Sequence, residues 1–109
     1  MEVNMLRLNE SAQKKKHEVK IGGFFEVCLP ENPTTGFRWS IVNPDNKGCE
    51  LLGERFEPGL QLTGQTGIHV WKFKMESEGA TTVQLVYRRS WESKTTAART
   101  ASFQITGSK

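Results

Sequence analysis

A chain of 109 residues with 36% hydrophobic and 25% charged residues has the length and composition of one folded domain, so residues 1–109 are expected to form a single unit rather than a disordered tract. The formal net charge of +3 falls short of the basic footprint of a nucleic-acid binder, and no apolar run approaches the ~20 residues of a membrane-spanning helix. Neither a nucleic-acid nor a membrane partner is expected.

The N-terminal stretch MEVNMLRLNESAQKKK lacks the apolar core of a secretory leader, which gives a cytoplasmic or endolysosomal location as the expectation. Val3 to Leu8 reads as a first strand and His17 to Ile21 as another. Between them, Lys14-Lys15-Lys16-His17 is the densest basic run, beside Arg7 and Lys20. Lysines on an exposed strand edge guard against aggregation, so a solvated face is the reading here. Asn9-Glu10-Ser11 has the form of a glycosylation sequon, which means little without secretion; Asn32-Pro33-Thr34 is excluded by its proline.

From Phe24 onward the period-2 signal is clear. Phe24 to Leu29 puts Phe25, Val27 and Leu29 on one face and Glu26 and Cys28 on the other. Phe37 to Val42 puts Phe37, Trp39 and Ile41 inward against Arg38 and Ser40. A weaker strand runs from Leu51 to Phe56. Ile68 to Met75 sets Trp71, Phe73 and Met75 against Lys72 and Lys74. Thr81 to Tyr87 gives Val83, Leu85 and Tyr87 inward, and Thr100 to Thr106 gives Phe103 and Ile105. No window has helical periodicity, and there is no repeat or low-complexity tract. The expected fold is all-β: an immunoglobulin-like antiparallel β-sandwich of about seven strands. Trp39 stands where such domains bury a tryptophan, although their paired cysteines are missing.

In an up-and-down succession, connections alternate between the two ends of the sandwich. Three loops therefore share one end: Glu31 to Gly36 (ENPTTG), Glu57 to Gly67 (EPGLQLTGQTG), and Arg88 to Arg99 (RRSWESKTTAAR). All three are unusual. The first is stiffened by Pro30 and Pro33, which fix φ and push the residues before them to extended conformations, while Gly36 is free to close the turn with a positive φ. The second carries three glycines, and the third sets Trp91 beside two arginines. Trp and Arg dominate binding hot spots, so Trp91 is either a partner's anchor or a cap folded over the sandwich end.

Catalytic constellations are thin. Cys28 with His17 or His69 is a conceivable thiol–imidazole pair, but Cys28 lies mid-strand with no helix N-terminus to activate it, and packing is the plainer role. Two Cys and two His lack the short spacing of a zinc site, so no metal is expected. Gly64-Gln65-Thr66-Gly67 is too short for a phosphate-binding loop and no helix follows it. Cys28 and Cys49 are too few for a disulfide framework and are expected to be reduced.

Taken in order and spacing, Asn32-Pro33-Thr34-Thr35-Gly36-Phe37, the Gly-rich second loop and Tyr87-Arg88-Arg89-Ser90-Trp91 resemble the chagasin family of cysteine peptidase inhibitors. The similarity runs from about Val19 to Phe103. In the third loop the family has Arg-Pro-Trp or Arg-Pro-Phe, where Ser90 stands here in place of the proline. In the second loop its glycines are usually adjacent, whereas Gln65 and Thr66 separate Gly64 from Gly67 here. The resemblance implies a reversible, tight-binding protein inhibitor of papain-like, cathepsin-type cysteine peptidases, monomeric, without cofactor and without enzymatic activity of its own. It implies peptidase-binding roles for Asn32, Pro33, Thr34, Thr35, Gly36 and Phe37, for Gly64, Gln65, Thr66 and Gly67, and for Arg89, Ser90 and Trp91. The alternative is an adhesion or carbohydrate-binding module that uses the same loop end.

Overall fold

The computed structural model describes residues 5–32, 36–42, 48–58, 67–89 and 99–109, with Lys14 by its backbone alone. Among these residues the strands are β1 Leu6–Leu8, β2 Lys16–Lys20, β3 Phe24–Glu31, β4 Phe37–Ile41, β5 Cys49–Glu57, β6 Gly67–Met75, β7 Gly79–Arg89 and β8 Arg99–Ser108. A short 3-10 helix, Glu10–Lys14, joins β1 to β2, and Asn9 caps it by accepting a hydrogen bond from the Ser11 amide at 3.1 Å. The strands make two four-stranded sheets with the orders β1-β3-β6-β5 and β2-β8-β7-β4.

The alternation read from the sequence is the one that folds. Phe25, Val27 and Leu29 of β3 and Phe73 and Met75 of β6 bury completely or nearly so against Trp39, Val83, Leu85, Phe103 and Ile105 of the facing sheet. Each such side chain contributes roughly 1.5–3 kcal/mol relative to an exposed one. The Phe25 and Phe73 rings stack at 5.0 Å across the β3–β6 ladder.

Two features differ from expectation. Among the described residues the sandwich has eight strands, and while its inner pairings are antiparallel, β1 pairs parallel with β3 and β2 parallel with β8. The chain changes sheet between β1 and β2, so these strands cannot pair with each other. Each takes the open edge of a sheet in the direction it already travels. Lys15, Lys16 and Lys20 are exposed along the β2 edge, as the solvated-face reading has it.

The second difference is on the outer face of the first sheet. Glu26 and Cys28 point away from the core, yet both are buried. Arg7 of β1 and Arg55 of β5 reach over them. Glu26 pairs with Arg7 at 3.2 Å and with Arg55 at 2.9 Å, and both arginines continue to Glu57, at 3.5 and 2.9 Å. The long arginine stems shield the strand beneath while their charged heads stay wet. Alternation alone carries no sign of this cover, because it depends on which strands become neighbours.

Candidate functional site

The strand registers show which loops share an end. Glu31, the last residue of β3, pairs with Gly67, the first of β6, and Ile68 pairs with Glu57, the last of β5. In the other sheet Phe37 pairs with Arg89, and Tyr87 with Arg99. Residues 32–36 alone connect β3 to β4, so the two sheet ends are the same end of the sandwich. The stems of all three unusual loops therefore converge, as expected from an up-and-down succession.

Of the residues singled out in the sequence, Asn32, Gly36, Phe37, Gly67 and Arg89 are described. All five lie at this end. Pro33, Thr34, Thr35, Gly64, Gln65, Thr66, Ser90 and Trp91 lie outside the described residues. Gly36 has φ 82°, the positive value anticipated for the residue that closes the first loop. Gly67 is required by close packing: a Cβ there would meet the Phe56 ring and lie 2.6 Å from the Glu57 carbonyl oxygen. This gives Gly67 a structural reason apart from any contact with a partner.

Phe37 opens β4 after the first loop and Arg89 closes β7 before the third, and the two pack as one unit. The Arg89 guanidinium lies 4.8 Å over the Phe37 ring, which stacks on Tyr87 at 5.3 Å. Tyr87 in turn packs on Trp39 at 4.8 Å, and Arg99 lies over both, 5.5 Å from the Trp39 centroid and 5.9 Å from that of Tyr87. Arg99 is also paired with Glu10 from the 3-10 helix. Alternating cations and aromatic faces attract through the ring quadrupole, at about 0.5–1 kcal/mol per exposed contact.

Beneath these contacts lies a polar cluster that sequence reasoning missed. Glu31 is 4% exposed and bridges the sheets: its Oε2 accepts the Trp39 amide at 2.7 Å. The Trp39 indole donates to the Pro30 carbonyl at 2.9 Å. The other Glu31 oxygen faces His69 Nδ1 at 3.1 Å, and His69 Nε2 faces Glu54 at 2.6 Å. His69 also stacks on Trp71 at 3.9 Å, nearly parallel. The signal for this cluster was present in the alternation. Glu31 continues the inward series of Phe25, Val27 and Leu29, and His69 continues that of Trp71, Phe73 and Met75.

The sheet itself separates His69 from Cys28. Cys28 faces outward, where Arg7 Nη2 lies 3.3 Å from its sulfur, while His69 faces inward. His17 Nε2 contacts the Ala12 carbonyl at 2.9 Å. Burial pushes the Cys28 thiol up despite Arg7, the opposite of what a nucleophile needs. Among the described residues no group of three His, Cys, Asp or Glu side chains is placed to hold a metal ion. What the geometry provides is a rigid base for three loops.

The profile of the Chagasin family peptidase inhibitor I42 matches residues 18–106. Over 78 residues the chain is 31% identical to chagasin of Trypanosoma cruzi, spanning 67% of this chain and 71% of that protein. The crystal structure of a cysteine protease inhibitor from Entamoeba histolytica matches with a TM-score of 0.83 at 20% identity, covering 95% of this chain and 96% of the other. The structure of PbICP-C in complex with falcipain-2 matches with a TM-score of 0.60 at 14% identity, covering 99% and 94%. At these identities the two structures speak to the fold alone.

Proposed function

Because this chain belongs to the chagasin family of peptidase inhibitors and is thus an inhibitor of cysteine peptidases rather than an enzyme, we propose that it acts by lodging the three loops of one sandwich end in the active-site cleft of a papain-like target. The observation that carries this reading is the convergence of the loop stems, with Glu31 beside Gly67 and Phe37 beside Arg89.

In this reading Thr34 and Thr35 occupy the centre of the cleft over the target's catalytic residues, with Asn32 and Gly36 framing them. Gly64 to Gly67 lie against one wall, where small residues let backbone approach closely. Arg89, Ser90 and Trp91 lie against the other. The proline-stiffened first loop and its braced base reduce the ordering cost of association, which favours tight binding from a modest interface. The loop escapes cleavage because it need not offer a peptide carbonyl to the target thiolate in attack geometry.

Titration of papain with the purified protein, followed by peptide hydrolysis, tests this directly. The expected result is reversible, competitive inhibition, with trypsin, pepsin and thermolysin unaffected. Equal inhibition of trypsin sinks the cleft-shaped mechanism. Absence of papain inhibition together with retention on a glycan surface turns the reading toward a sugar-binding module.

A further inference from the structure

One chain of hydrogen-bonding groups touches all four stems of the first two loops. It runs from the Trp39 amide beyond the first loop to Glu31 before it, then to His69 just after the second loop, and ends at Glu54 in the strand that leads into the second. We propose that His69 is a positioning residue for inhibition: held as an imidazolium between Glu31 and Glu54, it locks the two loop bases together and makes affinity for the target peptidase depend on pH. The proposal rests on the loop-end reading above.

Donors and acceptors around the His69 ring do not balance when it is neutral. Both ring nitrogens of His69 face carboxylate oxygens, at 3.1 and 2.6 Å. A neutral imidazole has a single N–H, so it can donate to only one of them and turns a lone pair toward the other. Only the doubly protonated ring satisfies both. Among the described residues His69 is the side chain able to carry a positive charge that faces Glu31, whose carboxyl group is nearly sealed from water. The His69 side chain is itself only 14% exposed, while Glu54 is 55% exposed.

The charges around the cluster fix the sign. From β3 and β5 the ring meets Glu31 and Glu54, and on its own strand it meets the face of Trp71. The opposing sheet brings Arg89 and Arg99 to this end, seated over Phe37 and over Trp39 with Tyr87. Arg7, Glu26, Arg55 and Glu57 form their ring on the opposite face of the same sheet. Imidazoles change charge between about pH 5 and pH 8. On the acid side of that window the cation makes both contacts and the bases are locked. As pH rises, one contact turns repulsive, Glu31 loses its counter-charge, and its hold on Trp39 loosens.

The test is the ratio of papain inhibition constants between His69→Gln and the wild-type protein, measured from about pH 5 to about pH 8. Taking the ratio cancels the peptidase's own pH profile. Glutamine donates one hydrogen bond and carries no charge. The expected result is at least about tenfold weaker inhibition by His69→Gln at the acid end, shrinking to within about threefold at the alkaline end. Glu54→Gln, altered at the more exposed partner, should show a smaller loss with the same trend, and it carries the test if His69→Gln melts below the assay temperature. A ratio that stays constant with pH, or equal inhibition at the acid end, overturns the proposal while leaving the inhibitory function standing. A wild-type protein that fails to inhibit at any pH overturns the function and this inference with it.

Discussion

The Trp39 backbone nitrogen donates to the Glu31 carboxylate at 2.7 Å, tying one sheet to the other beneath the first loop. The two residues flank that loop, so the bond sets the angle at which the chain leaves β3 and enters β4. The Trp39 side chain adds a second tie through its indole and is 3% exposed. A loop anchored this way transmits its shape from the core.

Trp39→Ala should therefore destabilise the fold by ~3–5 kcal/mol, the usual cost of emptying a large core site. Trp39→Phe keeps most of the packing but leaves the Pro30 carbonyl without its donor, and should cost about 1–3 kcal/mol. Denaturant titration of both variants checks the order. A Trp39→Ala variant as stable as wild type would falsify the assignment of this side chain to the core.

The strand pattern and the shared end of the three loops were legible because both follow from period-2 alternation and from connectivity. Phe25, Val27, Leu29 and Trp39 each face the core as their position in the alternation requires. The parallel edges were not legible, since β1 and β2 are short and nothing local in Leu6–Leu8 or Lys16–Lys20 states the direction of a neighbour. The Glu31–His69–Glu54 cluster was half legible. Two inward-pointing polar residues at strand ends marked it, but their meeting depends on the Glu31–Gly67 register, 36 residues apart in the chain. The same holds for Glu26, whose burial comes from arginines on two other strands.

That arginine–glutamate ring predicts an acid response. Hydrogen bonding from Arg55 holds the Glu57 carboxyl below the usual carboxylate range. A group whose folded-state pKa is depressed contributes stability above its unfolded pKa and loses it as pH falls. Glu57→Gln should therefore lower the melting temperature slightly at neutral pH, and its difference from wild type should vanish in strong acid. The groups are exposed and screened, so added salt should also shrink the difference. A difference that persists unchanged in acid contradicts the ion-pair origin.

Cys28 and Cys49 are both buried and unbridged, and burial pushes both thiols up. Reductant should leave melting and inhibition unchanged. Iodoacetamide should modify the native protein far more slowly than the denatured chain, because the thiolate is the reacting form. Mass spectrometry after matched exposures reads the outcome. Rapid labelling of the native protein would show that one of these sites opens readily.

The central claim is that the loop end is the inhibitory surface, and Trp91 tests it most directly. The measurement pairs papain inhibition constants with melting temperatures for Trp91→Ala, with Ile21→Ser as a control: Ile21 is exposed, and its amide bonds to the Ser108 carbonyl at the opposite end of the sandwich. Trp91→Ala should weaken inhibition roughly thirtyfold to a thousandfold, chiefly through faster dissociation, while melting as wild type does. Ile21→Ser should inhibit normally. If Trp91→Ala instead melts several degrees lower and inhibits unchanged, Trp91 is a cap on the core and the third loop lies outside the inhibitory surface.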